Sequence, residues 1–178
     1  MSRYLTNRGN YVVRGPFEHY LDTNGDGTGT FNAIGDYSAT PTEFYYAPPA
    51  GITAVISKLI IHIADKGLFG FDGYGAIAAG QVVNGMTITV ERLGVEVLSL
   101  TNGVPITDNA SMSHLNVDYN KTTFANNEES SSVSLEDHSF GGPLNMHGDL
   151  GDRLIVTLND SFVGLIDHHF ILYGTIGQ

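Results

Sequence analysis

The dominant signal along the chain is a hydrophobic period of two. Over 52–63 (ITAVISKLIIHI), strict alternation puts Ile56, Ile60 and His62 on one face and Val55, Leu59, Ile61 and Ile63 on the other. Apolar side chains on both faces predict a central strand. The segment 86–92 alternates more cleanly, with Met86, Ile88 and Val90 directed inward and Thr87, Thr89 and Glu91 outward. Gly94 separates it from a second run at 95–100. Weaker strand patterns follow at 104–107, 114–119 and 132–139, then two longer ones at 153–158 and 163–175. The turn cluster Asn159-Asp160-Ser161 joins the last two and is of the kind that closes a hairpin. No stretch of a dozen residues combines a helical apolar stripe with capping residues, so the crossover helices of a parallel α/β fold are absent from the pattern. About eight strands separated by turn chemistry predict an all-β fold, an antiparallel β-sandwich of the jelly-roll type. That domain is expected over 18–178, preceded by an extended N-terminal arm over 1–17.

Three segments do not follow the strand pattern. The stretch 125–132 (ANNEESSS) is polar throughout and predicts an exposed loop. In 66–85, glycines at 67, 70, 73, 75, 80 and 85 alternate with Leu68, Phe69, Phe71 and Tyr74. Such a loop either folds over its own sheet or offers Phe69, Phe71 and Tyr74 to a partner. In 21–30 (LDTNGDGTGT), Asp22, Asn24 and Asp26 precede Gly27 with the spacing that opens an EF-hand calcium loop. The closing carboxylate is missing, because Ala33 stands at its position, and no helices flank the segment. The expectation is a glycine-rich turn with no resident metal.

The composition narrows the function. A chain of 178 residues is long enough to bury roughly 70% of its unfolded surface in one core. The absence of cysteine excludes thiolate metal sites and cysteine catalysis. The longest apolar stretch, 52–64, is interrupted by Lys58 and His62 and is too short to cross a bilayer. The start, MSRYLTNRGN, carries no apolar core of a secretory signal, which leads to the expectation of a soluble protein with no membrane partner. Of the formal charge of −11, residues 1–17 carry +3 and the remainder therefore −14. The acidic body argues against nucleic acid as partner. Arg3, Arg8 and Arg14, with Tyr4 and Tyr11 between them, make the arm a candidate docking element for an acidic partner or a neighbouring subunit.

Catalytic patterns are missing. There is no Gly-x-Ser-x-Gly, no Walker loop and no dinucleotide fingerprint, and the chain has no Trp for sugar stacking. The seven histidines include no His-x-His pair of the cupin kind. His168 and His169 are adjacent, and strand neighbours face opposite ways, so they cannot easily share one metal. Asp167 beside His168 is a candidate surface polar pair, and His62, His114, His138 and His147 are isolated in sequence. The expectation is a protein that is not an enzyme, with no catalytic residues, no cofactor and no metal site.

An extended arm, then LDTNGDGTGT, then Asp36-Tyr37-Ser38-Ala39-Thr40-Pro41-Thr42, then FYYAPPAG leading into ITAVISKLIIHIAD, resembles small virion proteins of tailed bacteriophages. The most similar type is the jelly-roll capsid decoration, or cement, proteins, and the likeness covers mainly 20–65 and the C-terminal strand. The resemblance implies a non-enzymatic homo-oligomer, a dimer or trimer, that binds the major capsid protein or other virion subunits and stabilises the outer capsid surface. It also implies synthesis in the host cytoplasm. The alternatives are a tail or head-fibre component that binds host glycans, and a cupin-like jelly-roll enzyme that binds metal or sugar.

Overall fold

A computed structural model describes residues 14–64, 74, 82–101, 103–107, 119–124, 128–134 and 143–178, with the side chains of 14 and 119–134 left aside. The strands are β1 (Arg14–Tyr20), β2 (Thr42–Tyr46), β3 (Thr53–Ala64), β4 (Met86–Arg92), β5 (Val95–Ser99), β6 (Tyr119–Phe124), β7 (Glu128–Ser134), β8 (Leu144–His147), β9 (Asp152–Leu158) and β10 (Asp167–Gly177). They form two antiparallel sheets. Sheet A runs β1-β10-β3-β7-β6, with β8 also paired to β3, and sheet B runs β2-β9-β4-β5.

The pairings are nested: β1 with β10, β2 with β9, β3 with β8, and β4 with β5. A chain folded back on itself in this way and wrapped into two sheets is a jelly roll, as the turn-separated period-two pattern predicts. The β6–β7 hairpin is an insertion into this scheme. β8 pairs with the first part of β3, Thr53–Ile56, and β7 takes over along Lys58–Ala64. The long central strand thus serves two partners in succession on one side and β10 on the other.

The core lies between the sheets and, among the described side chains, is built mainly from alternate residues of β2, β3, β4, β9 and β10. Met86, Ile88 and Val90 of β4 are buried as expected, and they meet Ile56, Leu59 and Ile61 of β3 and Phe44 of β2 in one apolar cluster. The face assignment of β3 needs correction. Ile56 is buried on the same side as Leu59, Ile61 and Ile63, whereas Val55 is only partly buried. The cause is a β-bulge: Tyr173 pairs with Lys58 and Gly174 with Ile56, so Ser57 is an extra residue that resets the alternation. Gly174 is required there, since a Cβ would run into the Val55 carbonyl.

Other expectations also change. Residues 14–17, assigned to the arm, belong to β1, whose first pair is Arg14 with Gly177. Asn159-Asp160-Ser161 does not close a hairpin, because β9 and β10 lie in different sheets. Of 125–132, expected as an exposed loop, residues 128–132 belong to strand β7, held between β3 and β6 by backbone pairing, and 125–127 lie outside the described residues. The β4–β5 hairpin turns through Leu93 (φ 52°) and Gly94 (φ 74°), two successive left-handed residues that match the twist of the strands they join.

Candidate functional site

Antiparallel register brings together side chains that are far apart in sequence. His62 of β3 and His169 of β10 are direct partners, and such pairs hold their Cβ atoms about 4.5–5.5 Å apart. Their rings stack at 4.5 Å with 24° between planes. Asp167 lies two residues before His169 and so shares its face. His169 Nδ1 and Asp167 Oδ1 are 3.1 Å apart, with side-chain exposures of 13% and 35%. The ligating atoms of His62, Asp167 and His169 all lie within 4.8 Å of one another. This cluster sits on the outer face of sheet A. Tyr20 and Phe31, both exposed, rim it: Tyr20 lies 5.3 Å and Phe31 6.5 Å from the His169 ring, and 5.4 Å from each other.

His168 points the other way, into the core, as the alternation of strand neighbours requires. Its Nδ1 is 3.1 Å from the Ala33 carbonyl oxygen and its Nε2 is 2.8 Å from the Tyr74 hydroxyl. Burial pushes its pKa down to about 4 against the smaller raising effect of the Ala33 carbonyl, so the ring is neutral. In that tautomer Nδ1–H donates to Ala33 and Nε2 accepts the Tyr74 proton. Asp167, expected beside His168 as a pair, therefore pairs with His169.

Of the residues singled out as docking candidates, Arg3, Tyr4, Arg8, Tyr11, Phe69 and Phe71 lie outside the described residues. Arg14 opens β1 at the edge of sheet A. Tyr74 is corrected: it is fully buried, packs against Phe162 and bonds His168, so it is a core group and presents no surface to a partner. The His62–Asp167–His169 cluster escaped sequence reasoning because its two histidines are joined only through the β3–β10 register. The legible part was Asp167-x-His169, two ligand types at period two.

The 21–30 loop is ordered from within. Asp22 is buried, and its two carboxylate oxygens accept the N–H groups of Gly25, at 2.6 Å, and of Gly29. Asp26 accepts the N–H and hydroxyl of Thr28, which hold its carboxyl below the usual range. The carboxylates that mimic calcium ligands in sequence thus act as turn-forming acceptors.

The remaining buried polar groups are also engaged in structure. Asp160 accepts N–H groups from Val83, Asn84, Gly85 and Ser161. Burial raises its pKa, but these four donors outweigh that effect and leave it lowered. Asp152 is gripped by Arg92 through two bonds of 2.7 and 2.8 Å and accepts the His147 N–H. The Thr101 hydroxyl lies 3.4 Å from that of Ser99. Among the described residues, the two buried side-chain polar atoms left without a partner are His19 Nε2 and the Tyr46 hydroxyl, whose rings lie 4.6 Å apart.

Searches of protein-family models, of curated proteins and of solved structures find no match to this chain.

Proposed function

We propose that this chain is a structural protein of a bacteriophage particle, a decoration subunit that binds the outer capsid surface and does no chemistry of its own. The observation that carries the reading is a basic segment leading into an edge strand. The segment with Arg3 and Arg8 precedes β1 in sequence, Arg14 opens β1, and among the described residues β1 is paired only with β10 at one side of sheet A. A positively charged segment joined to an acidic body beside a strand that is an edge among the described residues could reach a neighbouring subunit by charge attraction and strand addition.

The interior supports a scaffold in place of a catalyst. Among the described residues the space between the sheets is filled by aliphatic and aromatic side chains, and the buried Asp22, Asp152, Asp160 and His168 each hold a loop or a turn. A cupin-like centre needs inward imidazoles converging on a metal. The inward His168 instead has both nitrogens engaged by Ala33 and Tyr74.

The test is attachment to capsids lacking the protein, with the full chain compared to a chain deleted for residues 1–13. That boundary leaves all of β1 in place. The truncated protein is expected to melt as the full chain does and to co-sediment with capsids less well. Attachment of the full chain should weaken as salt rises, because exposed ion pairs are screened. Equal attachment of both forms at every salt concentration would overturn the role of the basic segment.

A further inference from the structure

We infer that His62, Asp167 and His169 form a binding site for a divalent first-row transition ion, zinc in the first instance, on the outer face of sheet A. Two imidazoles and one carboxylate are the donor set that zinc and its neighbours in the series take, whereas calcium and magnesium require oxygen donors. The three residues are delivered by backbone geometry. β10 places Asp167 and His169 on one face, and the β3 register sets His62 directly opposite His169.

The separations suit a metal. Bonds of about 2.0–2.2 Å from zinc to nitrogen and oxygen put neighbouring donors roughly 3.0–3.5 Å apart. His169 Nδ1 and Asp167 Oδ1 already stand at 3.1 Å. With all three donor atoms within 4.8 Å of one another, a side-chain rotation of His62 would bring its nitrogen to an ion held by His169 and Asp167. The rings of His62 and His169 stack at 4.5 Å, so the two imidazoles lie side by side and binding turns His62 out of the stack.

Three protein donors leave at least one coordination position open, and the partial exposure of Asp167 opens it toward solvent. The exposed rings of Tyr20 and Phe31 lie beside His169 and flank the site. This inference does not depend on the capsid reading.

The experiment titrates zinc, and separately cobalt, into untagged protein, followed by calorimetry and by the visible absorption of bound cobalt. One saturable equivalent of zinc is expected. His62→Asn, His169→Asn and Asp167→Asn should each weaken it by at least ~10-fold, the lower end of what loss of even an outer partner does to a metal site. Asp167→Asn keeps the shape of the side chain and guards against loss of fold as the explanation. On the unmodified protein, zinc should shift the imidazole nitrogen resonances of His62 and His169 in NMR and leave those of the buried His168 in place. No saturable binding of either ion would overturn the site. Binding that survives all three substitutions, or resonance shifts confined to other histidines, would do the same.

Discussion

The Nε2 of His168 lies 2.8 Å from the hydroxyl of Tyr74, inside the sandwich and out of reach of solvent. The contact ties residue 74, within the glycine-rich segment 66–85, to strand β10. In the neutral ring Nε2 accepts the Tyr74 proton, and protonation would place a charge where no solvent reaches. The folded pKa of about 4 lies below the unfolded value of 6.5, so between these pH values the unfolded chain takes up a proton that the folded chain refuses. The resulting stability is fully present above pH 6.5 and is lost as pH falls toward 4. Desolvation of His19 acts in the same direction. Denaturant titrations should show stability falling by about 3 kcal/mol across this window from His168 alone, and His168→Gln should flatten that part of the profile. A profile that is flat in the unmodified protein would contradict the assignment.

Tyr46 offers a gain. Among the described residues its buried hydroxyl has no partner, and burial pushes the phenol up to about 12. Removing an unsatisfied buried hydroxyl removes its desolvation penalty, so Tyr46→Phe should stabilise the protein by about 1 kcal/mol. Calorimetry should register a rise in Tm of about 2–4 °C. A fall would mean that the hydroxyl has a partner in solution.

The 21–30 loop should ignore calcium and depend on Asp22. Both oxygens of that carboxylate already accept backbone N–H groups, from Gly25 and Gly29, so a cation would have to displace them. Millimolar calcium should leave Tm unchanged. Asp22→Ala strips one buried and one partly buried N–H group of a charged acceptor and should cost about 2–4 kcal/mol. Calorimetric calcium binding tighter than about 10⁻⁵ M, the range of sensor sites, would reverse this reading.

The bulge in β3 gives a sharper structural test. Gly174→Ala places a methyl group against the Val55 carbonyl, and the backbone of a central strand pair has little freedom to yield. A loss of about 1–3 kcal/mol is expected, the usual range for overpacking. Gly51→Ala provides a comparison in open space, though at a φ of 79° it carries its own backbone strain.

The legible parts of this fold were those in which one strand carries its own signal. β4 declares itself because Met86, Ile88 and Val90 face the core while Thr87 and Thr89 face out, so the period of two survives in sequence. β7 does not, because EESSSVS is a strand by virtue of backbone pairing with β3 and β6, which no local pattern encodes. The faces of β3 were misread at Ile56, since a single inserted residue, Ser57, inverts the alternation and leaves no mark in composition. Asn159-Asp160-Ser161 reads as a hairpin turn locally, but it carries the chain from sheet B to sheet A. The outer-face cluster failed for the same reason as β7. Residues 62 and 169 become neighbours only through the pairing of β3 with β10 in sheet A, and Asp167-x-His169 alone is half a site.

The proposed role is tested most directly by counting copies of the chain in purified phage particles by quantitative mass spectrometry against the major capsid protein. A decoration subunit is present at a fixed ratio to the capsid protein, in hundreds of copies per particle, and is stripped from the outside without opening the shell. A handful of copies, or absence from the particle, would contradict the account.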